Sequence, residues 1–235
     1  MASINQLISE FAHSVGMPNN KALRENLKLL IIQTRNEVIR RSYENHNYVD
    51  KILTQRFCVS LQDVNDGDII FSSQLDEETL KELKSSITQI KRTIQKVPRP
   101  VRLTNNLPFD RVSSVGFATS RVFPYIKETS ARFRNAVPGL KGIICYDYIN
   151  EYIYLFPTNC NSVKLDKIVI EAAFEHPNEI AVMQGDDEMT IAMDNNEWLL
   201  SEDMLGQIKE LIYKRDLLST VRQTNEIPNE VKFNN

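Results

Sequence analysis

Three acidic residues on or near predicted strands form the chain's best candidate for a catalytic group. Asp147, Asp166 and Glu171 offer carboxylate oxygens, the ligands that hold divalent ions for phosphodiester cleavage. A lysine two residues after Glu171 would strengthen this pattern, but Ala173 occupies that position. Acidic residues at strand ends are usually solvated. A metal-dependent nuclease is therefore one alternative for the function.

The histidines and cysteines form no recognisable metal or redox motif. His13, His46 and His176 are far apart, and the sequence contains no CxxC pair. The three cysteines are odd in number, which favours reduced thiols over a disulfide framework. They are Cys58, Cys145 and Cys160. The acidic cluster at residues 186–188 lacks the oxygen spacing of an EF-hand and is typical of a solvated loop. We expect no catalytic residues, no bound metal and no cofactor.

Basic residues near the middle of the chain could bind phosphate groups. The glycines lack the spacing of a P-loop or of a dinucleotide-binding fingerprint, whereas a nucleic-acid backbone needs only positive charge. Aromatic residues that could stack on bases are scarce there, Phe109 and Phe117 being the nearest. A non-specific DNA-binding module is thus a second alternative, and an acidic protein partner would explain the block as well. The basic residues are Lys91, Arg92, Lys96, Arg99, Arg102 and Arg111.

Charge is sorted along the chain. Residues 81–141 carry 13 Lys and Arg against 3 Asp and Glu, whereas residues 142–235 carry 7 against 17, within a total of −3. Complementary patches steer association and fix orientation, so this sorting favours head-to-tail self-assembly into a ring or a filament. The alternative is that linear segregation averages out in three dimensions. The candidate contact residues are Arg92, Lys96, Arg99, Arg102 and Arg111 on the basic side and Asp186, Asp187 and Glu188 on the acidic side.

The composition is that of a soluble globular protein. Hydrophobic residues make up 42% and charged residues 25% of the 235 residues. No apolar run approaches the roughly 18 to 20 residues that span a bilayer, and the N-terminus lacks the pattern of a signal peptide. We expect synthesis and folding in a cytosol and no membrane partner.

Helices are predicted at both ends of the chain. Residues 3–15 have apolar residues at helical spacing, with Ser3 and Gln6 as a capping box and Gly16 and Pro18 as a stop. A longer helix follows over about 20–43, and the two predict a hairpin. A last helix begins at Ser201, and residues 223–235 form a tail that is disordered or ordered only on a partner. Trp198, just before that helix, is either a core residue or a docking anchor.

The middle of the chain is typical of antiparallel sheet. Apolar and polar residues alternate over 55–62, and residues 65–68 form a turn that lets 69–71 pair back. A short helix follows, and Pro98 and Pro100 impose an extended connection after the next strand. The other predicted strands cover about 88–97, 112–117, 143–148, 152–156 and 167–174.

The predicted fold is α+β. It consists of an N-terminal helical hairpin over 1–50, a central antiparallel β-sandwich or barrel over 51–200, and a C-terminal helix packed on it with an extended tail over 201–235.

Several segments resemble phage structural proteins. Residues 92–112, 146–156 and 167–177 resemble tail adaptor proteins of short-tailed bacteriophages. Residues 207–218 and 224–228 are similar to the ring proteins of crAss-like phages that infect gut bacteria. The specificity lies in the combination of these segments, and the resemblance as a whole covers most of the chain.

The resemblance implies a structural virion protein without catalytic residues. It implies a ring, twelvefold by expectation, that lies below the portal, joins head to tail and lines the path of genome ejection. Its partners would be further copies of itself, the portal protein, neighbouring ring or tail proteins and, transiently, the genomic DNA. Such a protein is made in the host bacterial cytoplasm and ends in the virion. Adjacent copies in a ring need complementary flanks, which agrees with the sorted charge.

Overall fold

The structure is a computed structural model, and it describes residues 3–64, 90–115, 121–127, 143–156, 165–183, 200 and 202–217. The chain divides into two compact units. The first, here named the helical unit, combines residues 1–53 and 175–235. The second, the β unit, comprises residues 54–174. The three-segment division expected from the sequence stays a prediction.

The helical unit begins with α1 (Ile4–Ser14), which confirms the first predicted helix. The Ser3 hydroxyl accepts a hydrogen bond from the backbone N–H of Gln6 at 3.1 Å, and the Gln6 side chain accepts one from the Ser3 N–H at 3.3 Å. This reciprocal capping box satisfies two amides that a helix start leaves without partners. The apolar spacing then gives α1 one buried face, formed by Ile4, Leu7, Ile8 and Phe11.

The second helix, α2 (Lys21–His46), pairs with α1 as the predicted hairpin. Asn20 caps its start by accepting from the Leu23 N–H at 3.1 Å, and Asn47 ends it in the left-handed conformation with a φ of 57°. Its buried face contains Leu27, Ile31, Val38 and Ile39. The fully buried Arg35 also lies there, where burial lowers the pKa of its guanidinium to about 10. Arg35 donates to the Asn36 side chain at 3.2 Å.

Two further helices complete the described part of the helical unit. They are α3 (Glu179–Met183) and α4 (Glu202–Leu211), and α4 continues as a π-helical segment, Ile212–Leu217. Lys209 of α4 binds Glu10 at 2.8 Å, and the rings of Tyr213 and Phe11 lie 5.1 Å apart. We expected the C-terminal helix to pack on the β region, whereas these contacts place it on the hairpin. The predicted Ser201 cap and the tail at 223–235 lie outside the described residues.

Among the helices that the structure describes, none combines the length and the apolarity that crossing a membrane requires.

The described part of the β unit forms a six-stranded antiparallel sheet, which confirms the α+β fold class. Its strands are β1 (Gln55–Asp63), β2 (Lys91–Thr93), β3 (Arg111–Ser114), β4 (Cys145–Ile149), β5 (Tyr152–Phe156) and β6 (Lys167–Ala172). Their order in the sheet is β3-β6-β1-β2-β5-β4. Strand β1 pairs with β6 over its first six residues, from Gln55 to Ser60, and with β2 over the last three. The predicted alternation is confirmed, because Phe57, Val59 and Leu61 are buried.

A short segment joins the two outer strands of this sheet. Residues 121–126, here named the closing segment, bond to β3 on one side and to β4 on the other. The Phe123 N–H donates to the Val112 carbonyl at 2.8 Å, and the Ile126 N–H donates to the Tyr146 carbonyl at 2.9 Å. These backbone bonds therefore link the two outer strands of the curled sheet, a half-barrel that is called the barrel below.

Two strands are shorter than the sequence predicted. The strand expected at about 88–97 is formed over Lys91–Thr93, because residues 94–96 are all exposed and cannot present alternating faces. The strand expected at 112–117 is Arg111–Ser114. The predicted turn at 65–68, the strand at 69–71 and the helix after it lie outside the described residues.

Candidate assembly surface

The candidate assembly residues centre on a loop that follows β2. We name residues 96–102 the basic loop. Pro98 and Pro100 fix their φ angles and donate no backbone hydrogen bond, which favours the extended connection predicted from the sequence. Its exposed side chains are basic: Lys96, Arg99 and Arg102.

The backbone of the basic loop is anchored to the barrel. The Val97 N–H donates to the Glu151 carbonyl at 2.6 Å, and the Tyr148 hydroxyl donates to the Val97 carbonyl at 2.9 Å. Further on, the Val101 N–H donates to the Ala173 carbonyl at 2.8 Å. Val97 and Val101 are buried between the exposed basic residues. The barrel therefore fixes the shape of the loop, and its charged side chains start from defined positions.

Two of the three exposed basic residues bind the same carboxylate. Glu151 Oε2 lies 3.0 Å from Lys96 Nζ, and Glu151 Oε1 lies 2.9 Å from both Nε and Nη2 of Arg99. The hydrogen bond from Lys96 lowers the pKa of Glu151 most, followed by the one from Arg99. The hydrogen bond between Lys96 and Glu151 also raises the pKa of Lys96. The cationic side chains remain in solvent, since Lys96 is 63% and Arg99 70% exposed. The cluster of three carries one net positive charge.

Glu151 reaches this position from an unusual backbone conformation. Asn150 and Glu151 are the two turn residues between the paired Ile149 and Tyr152, with φ angles of 53° and 69°. Positive φ at both positions defines a type I′ turn, in which asparagine followed by glycine is preferred. A glutamate at the second position is strained. Strain of this kind at a surface turn points to a role for the side chain.

Arg92 lies beside the same cluster but on β2. Its guanidinium carbon lies 4.9 Å from the ring centre of Tyr152, which directly follows Glu151 in the chain. This cation–π contact and its place opposite Tyr154 in the sheet leave Arg92 half-buried. The structure therefore brings Arg92, Lys96 and Arg99 together around the turn.

Arg111 belongs to another part of the barrel. It is half-buried on β3, directly opposite Glu171 of β6, and Arg56 of β1 lies opposite Glu171 on the other side. The neighbouring Asp110 is exposed as a residue, yet the packing around its carboxyl, followed by the charge of Glu171, raises its pKa to about 6. The acidic candidates Asp186, Asp187 and Glu188, together with Trp198, lie outside the described residues.

The carboxylates considered for a nuclease occupy separate places. Asp147 is buried on β4, where it accepts the Tyr148 N–H at 2.8 Å and the hydroxyl of Tyr125. Asp166 and Glu171 lie near opposite ends of β6. Among the described residues, no three acidic, histidine or cysteine side chains cluster as a metal site. Asp147 acts as a hydrogen-bond acceptor inside the barrel wall.

Aromatic residues near the basic loop are packed inward. Phe109, considered as a stacking platform for bases, is buried, and its ring lies 5.0 Å from Tyr148 and 6.3 Å from Phe174. Its role is therefore to hold the chain that follows the basic loop against the barrel. Phe117 lies outside the described residues.

Glu151 was missed as a site residue from the sequence. The strands predicted over 143–148 and 152–156 imply a turn at residues 149–151, but its link to the basic residues was not predicted. The signal available was a glutamate at a turn position that favours glycine.

Comparison with protein families defines the class to which this chain belongs: structural ring proteins of bacteriophage tails. The matching model is that of crAss-like phage tail ring protein 2, and it covers residues 6–235, so the chain is a member of that family. A ring protein of the virion implies oligomerisation into a ring and partners in the tail. No individually curated protein matches the chain. The relation to tail adaptors of short-tailed phages stays a prediction.

Proposed function

We propose that this protein is a connector subunit that forms a closed ring between the portal and the tail and lines the path of genome ejection. Each copy binds the next head to tail, with the basic loop of one β unit facing an acidic surface on the helical unit of its neighbour. A heterologous contact of this kind closes into a ring when the rotation between copies permits.

The observation that carries this proposal is the opposite charge of the two compact units. The β unit contains 16 Lys and Arg against 13 Asp and Glu, a net charge of +3. The helical unit contains 12 against 18, a net charge of −6. Charge that is sorted along the chain is thus also sorted between the units, and complementary surfaces favour one orientation of neighbouring copies.

The basic loop suits such a contact because its backbone is fixed before any partner arrives. A preformed element loses little conformational entropy on binding. Its proposed counterpart includes Asp186, Asp187 and Glu188, while Trp198 has either a core or a docking role. The ring is expected to be twelvefold, to bind the portal and neighbouring rings, and to touch DNA only in passing, as in the tail adaptors that it resembles. Synthesis in the host cytoplasm precedes incorporation into the virion.

Electron microscopy of the purified protein, alone and mixed with the portal protein of the same genome, tests the proposal. We expect rotationally symmetric rings that stack on the portal. A triple variant, Lys96→Glu, Arg99→Glu and Arg102→Glu, should stay folded by circular dichroism and fail to form rings.

A matched triple variant makes this test specific. Arg121→Glu, Lys127→Glu and Lys167→Glu change the charge of the β unit by the same amount at exposed positions outside the basic loop. If the basic loop, and not the net charge of the β unit, sets the contact, this control should form rings. Normal rings from the basic-loop variant, or equal failure of both variants, would contradict a specific role for the basic loop.

A further inference from the structure

Glu151 occupies the part of the basic loop that a phosphate would use. Arginine binds phosphate best through two parallel N–H groups on one edge of the guanidinium. In this structure the Nε and Nη2 atoms of Arg99 both lie 2.9 Å from Glu151 Oε1. The other carboxylate oxygen lies 3.0 Å from Lys96 Nζ. A phosphate that binds through this edge of Arg99 must therefore displace the Glu151 carboxylate and approach its negative charge.

We propose that Glu151 is a specificity-determining residue that keeps nucleic acid off the basic loop while leaving it able to bind the carboxylates of a second copy. The inference rests on the proposed function, in which DNA passes the ring and must not be retained. A protein partner is different from DNA in this respect, because its isolated carboxylates can bind the outward N–H groups of Arg99 and Lys96. A DNA strand places several phosphates over the whole basic loop, so that some of them approach the negative charge of Glu151.

The backbone agrees with a dedicated role for this side chain. Glu151 stands at a φ of 69°, where glycine would be unstrained, and its carbonyl also accepts the N–H of Val97. The turn thus holds the Glu151 carboxylate between the two cations, and the main chain of Glu151 is itself hydrogen-bonded to the basic loop. A glycine there would keep the turn and lose the carboxylate.

Fluorescence anisotropy with a labelled DNA duplex of mixed sequence tests the proposal on the full-length chain. The measurement compares wild type, Glu151→Gln and Glu37→Gln over a range of salt concentrations. Glu37 provides the matched control, because it forms an exposed ion pair with Arg41 on α2 and its replacement changes the net charge equally. Circular dichroism confirms that each variant is folded.

We expect weak binding with a shallow salt dependence for wild type and for Glu37→Gln. Glu151→Gln should bind more tightly at low salt, and its slope of log affinity against log salt should steepen by up to about 2, since each additional phosphate contact contributes about 0.9. A Glu151→Gln variant that binds like wild type overturns the proposal, as does an equal gain by Glu37→Gln. Wild-type binding as strong and as salt-dependent as that of Glu151→Gln also overturns it.

These outcomes are separable from the fate of the proposed function. Ring formation is scored on the wild-type protein by electron microscopy and needs no DNA. Rings without any effect of Glu151→Gln would overturn this inference alone, whereas the DNA effect without rings would overturn the connector role alone.

Discussion

At the scale of single residues, the most informative position is Glu151. Its side chain binds Lys96 and Arg99, its carbonyl binds Val97, and its backbone adopts a conformation in which glutamate is strained. Three contacts and a strained φ at one exposed turn are more than hairpin formation requires, because Asn-Gly would form the same turn without strain.

Replacing Glu151 by glycine or by alanine separates the strain from the contacts. Both variants lose the carboxylate, but only glycine relieves the positive φ. We expect Glu151→Gly to be more stable than Glu151→Ala by about 1 kcal/mol, as measured by urea denaturation. Equal denaturation midpoints would show that the turn is not strained.

Residue contacts were predictable from the sequence only where they are local. The capping box of Ser3 and Gln6 could be predicted because its two members are three positions apart. Lys96 and Glu151 are 55 positions apart, and their pairing depends on how β2 and the turn after β4 meet in the barrel. Charge alone therefore identified the cations but not the carboxylate that binds them.

At the scale of elements, the closing segment links the two outer strands of the curled sheet. It bonds to β3 and β4, which would otherwise be edge strands with unpaired backbone groups. Its anchor is Phe123, which is 4% exposed, whereas the preceding Val122 is 54% exposed.

Truncating these two neighbours should have unequal effects. We expect Phe123→Ala to lower the free energy of unfolding by about 3 kcal/mol or more, since it removes a buried aromatic side chain. Val122→Ala should change it by less than about 0.5 kcal/mol, because that side chain is exposed. Urea denaturation of both variants provides the measurement, and similar losses would mean that Phe123 does not anchor the segment.

Elements with strong periodicity were predicted well, and those without it were not. The alternation of β1 and the apolar faces of α1 and α2 follow directly from their sequences. The closing segment pairs through few backbone bonds and contains Pro124, so its sequence lacks the pattern of a strand. Ile94 is a strand-forming type, but in the structure residues 94–96 all face solvent as the chain turns toward Glu151.

At the scale of the whole molecule, the two units carry opposite net charge. Attraction between exposed charges is screened by salt, with a Debye length of about 10 Å at 0.1 M. If copies associate through these units, the association should weaken as ionic strength rises.

Sedimentation velocity over a range of salt concentrations measures this dependence. We expect rings or their precursors to shift toward smaller species between about 50 and about 500 mM salt. Assembly that is insensitive to salt would indicate a predominantly apolar contact between copies.

The helical unit is built from the two ends of the chain, with the β unit between them. Domains fold as units during synthesis, in the order in which they leave the ribosome. The described strands of the β unit are all present once Phe174 has emerged, but α1 and α2 complete their packing only with α4, which covers part of their apolar face. A chain whose synthesis stops early therefore keeps an unfinished helical unit.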